Sequence, residues 1–189
     1  MEKLYIKNMM SKCCIYVIRN LLESNNIKVS FIKLGYAEVV FSKNSPTITE
    51  IDKILKTLGF GLIVSREKRI VEQTKIAVIE LIHHMNNVNS IVQKTDYLVE
   101  KLNLSYQQLS KLFSRYENTT LEKFIIRNKI ERIKELIDSD EFTLSEIAYM
   151  MDYSSVQYLS SQFKKETGIT VSEYKKDHRI EKIALEDLL

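Results

Sequence analysis

The stretch TLSEIAYMMDYSSVQYLSSQFKKETGITVSEYKK, residues 143–176, decides the fold of the second half of this chain. Its first part follows the i, i+3, i+4, i+7 spacing of one apolar helix face, at Leu144, Ile147, Ala148 and Met151. After a break at Asp152, Leu159 and Phe163 repeat the i, i+4 spacing. Ser154 can accept a backbone N–H and so begin the second helix. The stretch predicts two short helices joined by a tight turn, followed by one more helical turn.

The second of these helices has a small, polar outward face. Its outward positions are Val156, Gln157, Ser160, Ser161 and Lys164. Amide and hydroxyl groups pair with base edges in the major groove of DNA, and lysine reaches phosphate. Taken alone, the pattern fits the solvated face of an all-α domain equally well.

A second copy of this unit precedes it in the sequence. The segment SYQQLSKLFSRYENTTLEKF, which begins at Ser105, aligns with the later stretch, placing Leu109 on Leu159, Phe113 on Phe163 and Phe124 on Tyr174. Between the copies, residues 121–138 predict a long amphipathic helix with one apolar stripe, at Phe124, Ile130, Ile133 and Ile137. The repeat predicts two helix-turn-helix units on a connecting helix.

These residues resemble the DNA-binding domain of AraC-type transcriptional regulators, over roughly Asn89 to Lys176. The family's first recognition helix has the pattern S-x-x-x-L-x-x-x-F, matched by Ser105, Leu109 and Phe113. Its second signature is matched by Glu146, Ile147, Ala148, Tyr153, Leu159, Phe163, Lys164, Lys165, Gly168 and Tyr174.

Three positions depart from the family pattern. Asp152 and Asn118 stand where the family usually has glycine, and we expect both to adopt the left-handed backbone that Asp and Asn tolerate. Val171 replaces a proline, and we expect Ser172 or Thr170 to cap the last helix instead.

The resemblance implies which residues contact DNA. Carried over to this sequence, the base-facing positions are Gln107, Ser110 and Lys111 on the first helix and Val156, Gln157, Ser160 and Ser161 on the second. Arg115, Lys164 and Lys165 add positive charge to the two helices. The expected partner is double-stranded DNA, with both helices in successive major grooves of a site of roughly 20 bp. A contact with RNA polymerase is a further expectation for a regulator of this type.

The net charge of +3 is unevenly distributed along the chain. Residues 1–89 carry 13 Lys and Arg against 8 Asp and Glu, whereas residues 90–189 carry 15 against 17. A basic footprint is the usual mark of a nucleic-acid binder. Because many acids lie on or just after the connecting helix, at Glu131, Glu135, Asp138, Asp140 and Glu141, the local field at the recognition helices still favours DNA.

The first 65 residues predict a different domain. Strand patterns at residues 4–9, 27–34, 36–42 and 59–64 alternate with a helix over residues 12–23 and a second helix that Thr47 and Glu50 begin as a capping box. The order βαββαβ is the ferredoxin-like arrangement. The predicted fold class is therefore an α+β ferredoxin-like domain followed by an all-α double helix-turn-helix domain.

The segment NMMSKCC is similar to the metal-binding loop of heavy-metal-associated domains, whose motif is M-x-C-x-x-C. Met9 and Cys14 match the motif, but Ser11 replaces its first cysteine, and a hydroxyl is a poor ligand for a soft metal ion. Cys13 and Cys14 point roughly 100° apart at a helix start. We therefore predict that the protein has no metal or other cofactor. The alternative function is a soft-metal carrier or metal-responsive sensor, in which Cys14 would be the candidate ligand.

Residues 66–88 predict an amphipathic connecting helix, which begins near Ser65 and ends near Asn86. Its apolar stripe includes Ile70, Ala77, Leu81 and Met85, and its opposite face carries Glu67, Lys68, Glu72, Gln73, Lys75 and Glu80. The helix either joins the domains or forms a homodimer with its copy. His83 and His84 are expected either to have their hydrogen bonds satisfied within the protein or to face solvent, rather than to bind a metal.

The remaining features set the class of protein. The predicted domains are 1–65, the connecting helix 66–88, the DNA-binding domain 89–177 and a tail, 178–189, that either folds back as a helix or frays. No apolar run approaches 18 residues and no cleavable leader precedes the chain, so we expect a cytoplasmic protein without a membrane partner. No nucleophile triad or phosphate loop is recognisable, which argues against an enzyme.

Overall fold

Two units make up the chain in the computed structural model, which describes residues 1–84 and 94–176. The first unit is Met1–Ala77 and the second is Val78–Leu189. Unit 1 contains an antiparallel sheet with helices, whereas the described part of unit 2 is helical. The predicted order, a mixed α and β half followed by a helical half, is confirmed.

Unit 1 begins with strands and helices in the order βαββαβ. Its first elements are β1 (Glu2–Lys7), α1 (Lys12–Ser24), β2 (Ile27–Lys33), β3 (Tyr36–Phe41), α2 (Ile48–Lys56) and β4 (Gly61–Leu62). The strands pair in the order β2-β3-β1-β4, and each pairing is antiparallel. The predicted capping box is present, because the Thr47 hydroxyl accepts from the Glu50 amide and the Glu50 carboxylate accepts from the Thr47 amide at 2.7 Å.

The core of unit 1 lies between the sheet and the helices α1 and α2. Its central side chains are Leu4, Ile6, Ile18, Leu22, Ala37, Val39, Ile51 and Leu55. Leu58 continues the i, i+3, i+4, i+7 spacing of Ile51, Ile54 and Leu55, which predicts it on the apolar face of α2, but it is 49% exposed. The helix ends at Lys56, so Leu58 lies beyond its last turn and leaves the stripe.

The connecting helix α3 (Arg66–His84) differs from the prediction on its polar face. Glu72 and Lys75 are each only 4% exposed, although the pattern placed both in solvent. The Glu72 carboxylate accepts the Asn8 amide at 2.6 Å and lies 3.6 Å from Lys75 Nζ. Asn8 lies more than 60 positions before Glu72 in the sequence, so helical periodicity could not show this contact. The predicted helix end at residues 85–86 lies outside the described residues.

Unit 2 consists, in its described part, of short helices around one long helix. They are α4 (Lys94–Leu102), α5 (Tyr106–Tyr116), α6 (Leu121–Asp138), α7 (Leu144–Met150), α8 (Val156–Thr167) and α9 (Val171–Lys176). The predicted bounds of the connecting helix α6 are confirmed. The predicted tail, residues 178–189, lies outside the described residues.

The helices α7, α8 and α9 pack against apolar side chains in the second half of α6. The buried cluster comprises Ile130, Ile133, Leu136, Ile137, Ile147, Ala148, Met151, Leu159, Phe163, Val171 and Tyr174. The predicted apolar stripes of α6, α7 and α8 therefore pack on one another. None of the described helices is both long enough and apolar enough to cross a membrane.

Candidate nucleic-acid interface

The helix α5 begins with a capping box. The Ser105 hydroxyl accepts from the Gln108 amide at 3.3 Å, and the Gln108 side-chain oxygen accepts from the Ser105 amide at 3.0 Å. Two backbone amides that the first helical turn leaves without partners are thereby satisfied. Ser105 therefore sets the start of α5, as the sequence pattern predicts.

The cap of α8 is one residue later than predicted. The Ser155 hydroxyl, rather than that of Ser154, accepts from the Tyr158 amide at 3.1 Å. Either serine has the side chain for this role, so only the backbone path between Asp152 and Ser155 decides which one caps. The prediction of Ser154 is wrong, but the predicted outward positions of α8 are unaffected.

An Asn or Asp in the left-handed region stands before each of these helices. Asn103 has φ 52° in the turn before α5, and Asp152 has φ 54° in the turn before α8. Both are among the few residue types that adopt this backbone at modest cost. The expectation for Asp152 is confirmed. Asn103 plays the same part in the first motif, and the sequence pattern did not single it out.

The two helices end differently. Gly168 ends α8 with φ 83°, the left-handed cap that glycine favours. Glu117 ends α5 with φ −117° and ψ 150°, so the chain leaves this helix in extended backbone. Asn118 is not among the described residues with positive φ, and the expectation that it forms a left-handed turn is wrong.

The inner faces of α5 and α8 are built alike. Leu109 and Leu159 are each 1% exposed or less, and Phe113 and Phe163 are fully buried. The Phe113 ring lies 5.2 Å from the ring of Phe124, and the Phe163 ring lies 5.6 Å from the ring of Tyr174, between centroids.

The helices that follow α5 and α8 also start in the same way. The Thr120 and Thr170 hydroxyls accept the amides of Lys123 and Glu173 at 3.2 and 3.1 Å. The expectation that Thr170 or Ser172 caps α9 therefore resolves to Thr170. Together with the paired aromatics, these caps show that the repeat in the sequence is a repeat in three dimensions.

The predicted DNA-contacting residues other than Val156 lie on the opposite side of the same helices, whereas Val156 packs against the buried cluster of unit 2. Exposed among them are Gln107, Lys111, Arg115, Gln157, Ser161, Lys164 and Lys165, and half-buried are Ser110, Val156 and Ser160. Steps of three and four residues connect the members within each helix, which places each set on one stripe. No predicted contact residue is buried, so each helix has a polar outer stripe opposite its apolar one.

A buried lysine connects α6 to the second motif. Lys129 is 8% exposed, and its Nζ donates to the backbone carbonyl of Met151, the C-cap of α7, at 2.9 Å. The same ammonium lies 4.9 Å from the ring centroid of Tyr153. A cation at a helix C-terminus complements the helix dipole. Lys129 therefore attaches the turn between α7 and α8 to α6.

Tyrosines that the sequence pattern did not single out lie beside the recognition helices. Tyr106, Tyr153 and Tyr158 line a cavity of about 280 Å³ with Lys129 and Gln162. Burial raises the pKa of Tyr153 to about 12, with the neighbouring Tyr158 and Glu166 adding to the shift. Tyr158 remains 55% exposed at the start of α8. Its i, i+4 spacing to Gln162 is the one signal that could have placed it on this lateral face.

The candidate metal ligand Cys14 lies in unit 1 at the start of α1. It is half-buried, and Met9 is fully buried. The Ser11 hydroxyl lies 2.7 Å from Cys13 Sγ and 3.4 Å from Cys14 Sγ, and its hydrogen bond lowers the pKa of the Cys13 thiol. Among the described residues, no three His, Cys, Asp or Glu side chains come together as metal ligands would. Ser11 thus contacts both thiols from the position of the motif's missing cysteine.

Comparison with known proteins concerns the second half of the chain. Residues 98–177 match the model of a family described as a helix-turn-helix domain. The chain is similar to the xylose operon regulatory protein of Escherichia coli K12, with 31% identity over 102 residues, which are 54% of this chain and 26% of that protein. The Msm operon regulatory protein of Streptococcus mutans is 24% identical over 101 residues, covering 50% of this chain and 36% of that protein.

The chain spans well under half the length of these relatives. Among solved structures, the C-terminal domain of AraT, a response regulator from Geobacillus stearothermophilus, is similar with a TM-score of 0.49 and 23% identity, over 64% of this chain and 94% of that one. The helix-turn-helix family match spans residues 98–177, which carry both copies of the repeat.

Proposed function

We propose that this chain is a sequence-specific DNA-binding transcriptional regulator of AraC type, with α5 and α8 in successive major grooves. The observation that carries the proposal is the repeat: each helix starts at a serine whose hydroxyl accepts a backbone amide, buries a Leu and a Phe four residues apart, and packs that Phe against an aromatic ring of the next helix. Both helices repeat the same buried residues and expose polar side chains on the other side. This arrangement suits a pair of helices that contact DNA bases in the major groove. The relatives named as operon regulatory proteins support a regulator rather than an enzyme.

The base-reading roles follow from side-chain chemistry. Gln107 and Gln157 are exposed amides that can pair with adenine through two hydrogen bonds. Lys111 suits guanine or phosphate, and Val156 suits a thymine methyl group. The proposed site therefore contains an adenine contact in each half, about one helical turn apart.

The deciding experiment compares two glutamine variants of the full chain. The DNA is a site selected from genomic fragments. Gln157→Ala should reduce the binding free energy for this site by about 1–3 kcal/mol and relax the sequence preference at one base pair. Gln73→Ala removes an exposed amide on α3 and serves as the matched control, with no change expected. Binding would be measured by gel shift on the selected site and on random DNA. An equal loss on both DNAs would contradict a reading role for Gln157.

The salt dependence of binding tests the charge distribution. The cations proposed to face DNA are Lys111, Arg115, Lys164 and Lys165. Because each phosphate contact adds about 0.9 to the slope of log affinity against log salt, we expect a slope below that of about 8 phosphates. A steeper slope would mean that further cations of the chain contact DNA.

For unit 1 we infer ferredoxin-like topology, which the βαββαβ order and the strand order β2-β3-β1-β4 support. The likeness to heavy-metal-associated domains stays at the level of this scaffold, because Ser11 supplies a hydroxyl where a soft metal needs a thiolate.

A homodimer through residues 66–88 is also part of the proposal, as is a contact with RNA polymerase. Ala77, Val78 and Ile82 are already buried within the chain, so the exposed Lys68 and Gln73 face is the part of α3 open to a partner. Light scattering of the full chain on a size-exclusion column tests the dimer: a monomer mass across the micromolar range would contradict it.

A further inference from the structure

The sheet of unit 1 has a second face, opposite the core. Leu4 and Ile6 of β1 and Ala37 and Val39 of β3 point into the core, so the residues between them point the other way. The strand register aligns these outward residues in two rows, Lys33–Tyr36–Tyr5 and Phe31–Glu38–Lys3. An irregularity between Val29 and Phe31 keeps Phe31 on this side. These six residues define the outer sheet face.

Three aromatic rings form a continuous strip on the outer sheet face. The ring of Tyr36 lies 5.2 Å from that of Tyr5 and 6.4 Å from that of Phe31, between centroids. The Arg69 guanidinium lies 3.8 Å above the Tyr5 ring and covers that end of the strip. Phe31 is 49% exposed at the other end. The accessible aromatic surface therefore lies at Phe31, whereas Tyr36 is half-buried and has the Lys33 ammonium 5.8 Å from its ring centroid.

Positive charge surrounds this aromatic surface. Lys3 and Lys33 are exposed on the outer sheet face, and Lys28 is exposed beside it, opposite Val40. Glu38, the carboxylate of this face, accepts the Tyr36 hydroxyl at 2.6 Å. Residues 1–77 carry 13 Lys and Arg against 7 Asp and Glu, so the excess positive charge of the chain belongs to unit 1 rather than to the helical unit.

We infer that the outer sheet face binds single-stranded RNA. Unpaired bases stack on exposed aromatic rings, and a groove or face of positive charge follows the backbone phosphates. Phe31 supplies the exposed ring, Tyr36 extends the aromatic strip behind it, and the lysines supply the phosphate contacts. A duplex keeps its bases stacked inside and cannot use the rings.

The carboxylate of Glu38 favours RNA over single-stranded DNA. A carboxylate has about four acceptor sites, and the Tyr36 hydroxyl occupies one of them. A ribose 2′-hydroxyl can donate to another, whereas deoxyribose has no donor at that position. The function lies on unit 1 and is independent of duplex reading by α5 and α8.

The test measures fluorescence anisotropy of the full chain with labelled decauridine, with decathymidine and with a duplex of random sequence. We expect decauridine to bind more tightly than decathymidine. Phe31→Ala should weaken decauridine binding about tenfold, and Phe31→Tyr should retain binding within about twofold, because the ring is kept. Leu58→Ala is the matched control, since Leu58 has the same 49% exposure on another surface.

Charge reversal provides a second pair of variants. Lys33→Glu should weaken decauridine binding more than Lys43→Glu, which makes the same charge change in an exposed loop. Equal effects of the two reversals, or equal binding with and without the Phe31 ring, would overturn the proposal. Equal affinity for both single strands would overturn the RNA assignment, and a dimer that dissociates in Phe31→Ala would assign the face to a second copy of the chain. Duplex binding, which Gln157 tests, should stay unchanged in all of these variants.

Discussion

The two helix-turn-helix motifs of unit 2 share an inner framework and differ in how they are fastened. Phe113 and Phe163 occupy the same place in each, with aromatic partners at 5.2 and 5.6 Å. In the second motif, Lys129 of α6 donates to the C-terminal carbonyl of α7 and the left-handed Gly168 ends α8, whereas α5 of the first motif ends in extended backbone at Glu117. The buried aromatic pairs that support α5 and α8 are therefore repeated, whereas the helix caps and the contacts with α6 differ between the motifs. Each motif can therefore be perturbed separately.

The largest expected effect comes from removing the buried ring of either motif. Phe113→Ala and Phe163→Ala should each lower the free energy of unfolding by about 3–5 kcal/mol, since a buried Phe-to-Ala change loses apolar burial and leaves a cavity. Urea denaturation followed by circular dichroism measures both. Tyr149→Ala, at a side chain 69% exposed, is the control and should change little. A loss below about 1 kcal/mol in one motif but not the other would break the equivalence of the two frameworks.

Lys129→Met tests the fastening that belongs to the second motif. The variant keeps the length of the side chain but removes the donor to the Met151 carbonyl, and an unsatisfied buried acceptor costs about 1–3 kcal/mol. Hydrogen exchange by mass spectrometry should show faster exchange in α7 and α8 and little change in α5. Lys123→Met, at an exposed position of the same helix, is the control. Uniformly faster exchange across both motifs would mean that Lys129 stabilises the whole unit instead.

Local pattern was enough to predict most of the fold. The bounds of α6 follow from an uninterrupted apolar stripe between Thr120, which caps it, and the turn after Asp138. The capping box of Thr47 and Glu50 follows from residue types three positions apart. The core of both motifs follows from i, i+4 spacing that occurs twice. Each of these signals lies within a few residues of the structure it determines.

The features that were missed depend on distant residues. Glu72 and Lys75 look like a solvated face of α3, yet both are buried, and Glu72 accepts the amide of Asn8 from the loop after β1. Lys129 looks like an ordinary surface cation until its contact with Met151 is seen. The choice between Ser154 and Ser155 as the cap depends on the backbone path after Asp152. Helical periodicity contains none of this information.

The ends of the two recognition helices offer a smaller, local contrast. Gly168→Ala should destabilise the chain by about 1–2 kcal/mol, because φ 83° is unfavourable for a residue with a Cβ. No atom lies within 4 Å of the added Cβ, so the backbone conformation is the cause of the cost. Asn118→Ala at the equivalent place in the first motif should stay within about 0.5 kcal/mol, since Asn118 is not left-handed. Urea denaturation measures both, and an equal cost at the two positions would contradict the contrast.

The smallest effect separates the motifs by pH. The first motif caps α5 with Gln108, which does not titrate, whereas Glu146 and Glu173 complete the capping boxes of α7 and α9. The Thr143 hydroxyl and amide lower the pKa of Glu146, and the Thr170 amide and hydroxyl lower that of Glu173. A lowered pKa in the folded state means that these caps stabilise fully above the ordinary glutamate value of about 4.3 and are lost as the pH falls through the folded value.

NMR of backbone amides between pH 6 and pH 3 measures this difference. The amide signals of Thr143 and Thr170, which donate to the two carboxylates, should shift as the glutamates take up protons, and that of Ser105, which donates to Gln108, should stay in place. Glu146→Gln gives α7 a capping side chain that does not titrate, of the kind that Gln108 gives α5, and should abolish the response at Thr143 while leaving the response at Thr170. If the amide signal of Thr143 still shifts with pH in that variant, a carboxylate other than Glu146 causes the shift. The caps of the two motifs would then not explain a difference in their pH dependence.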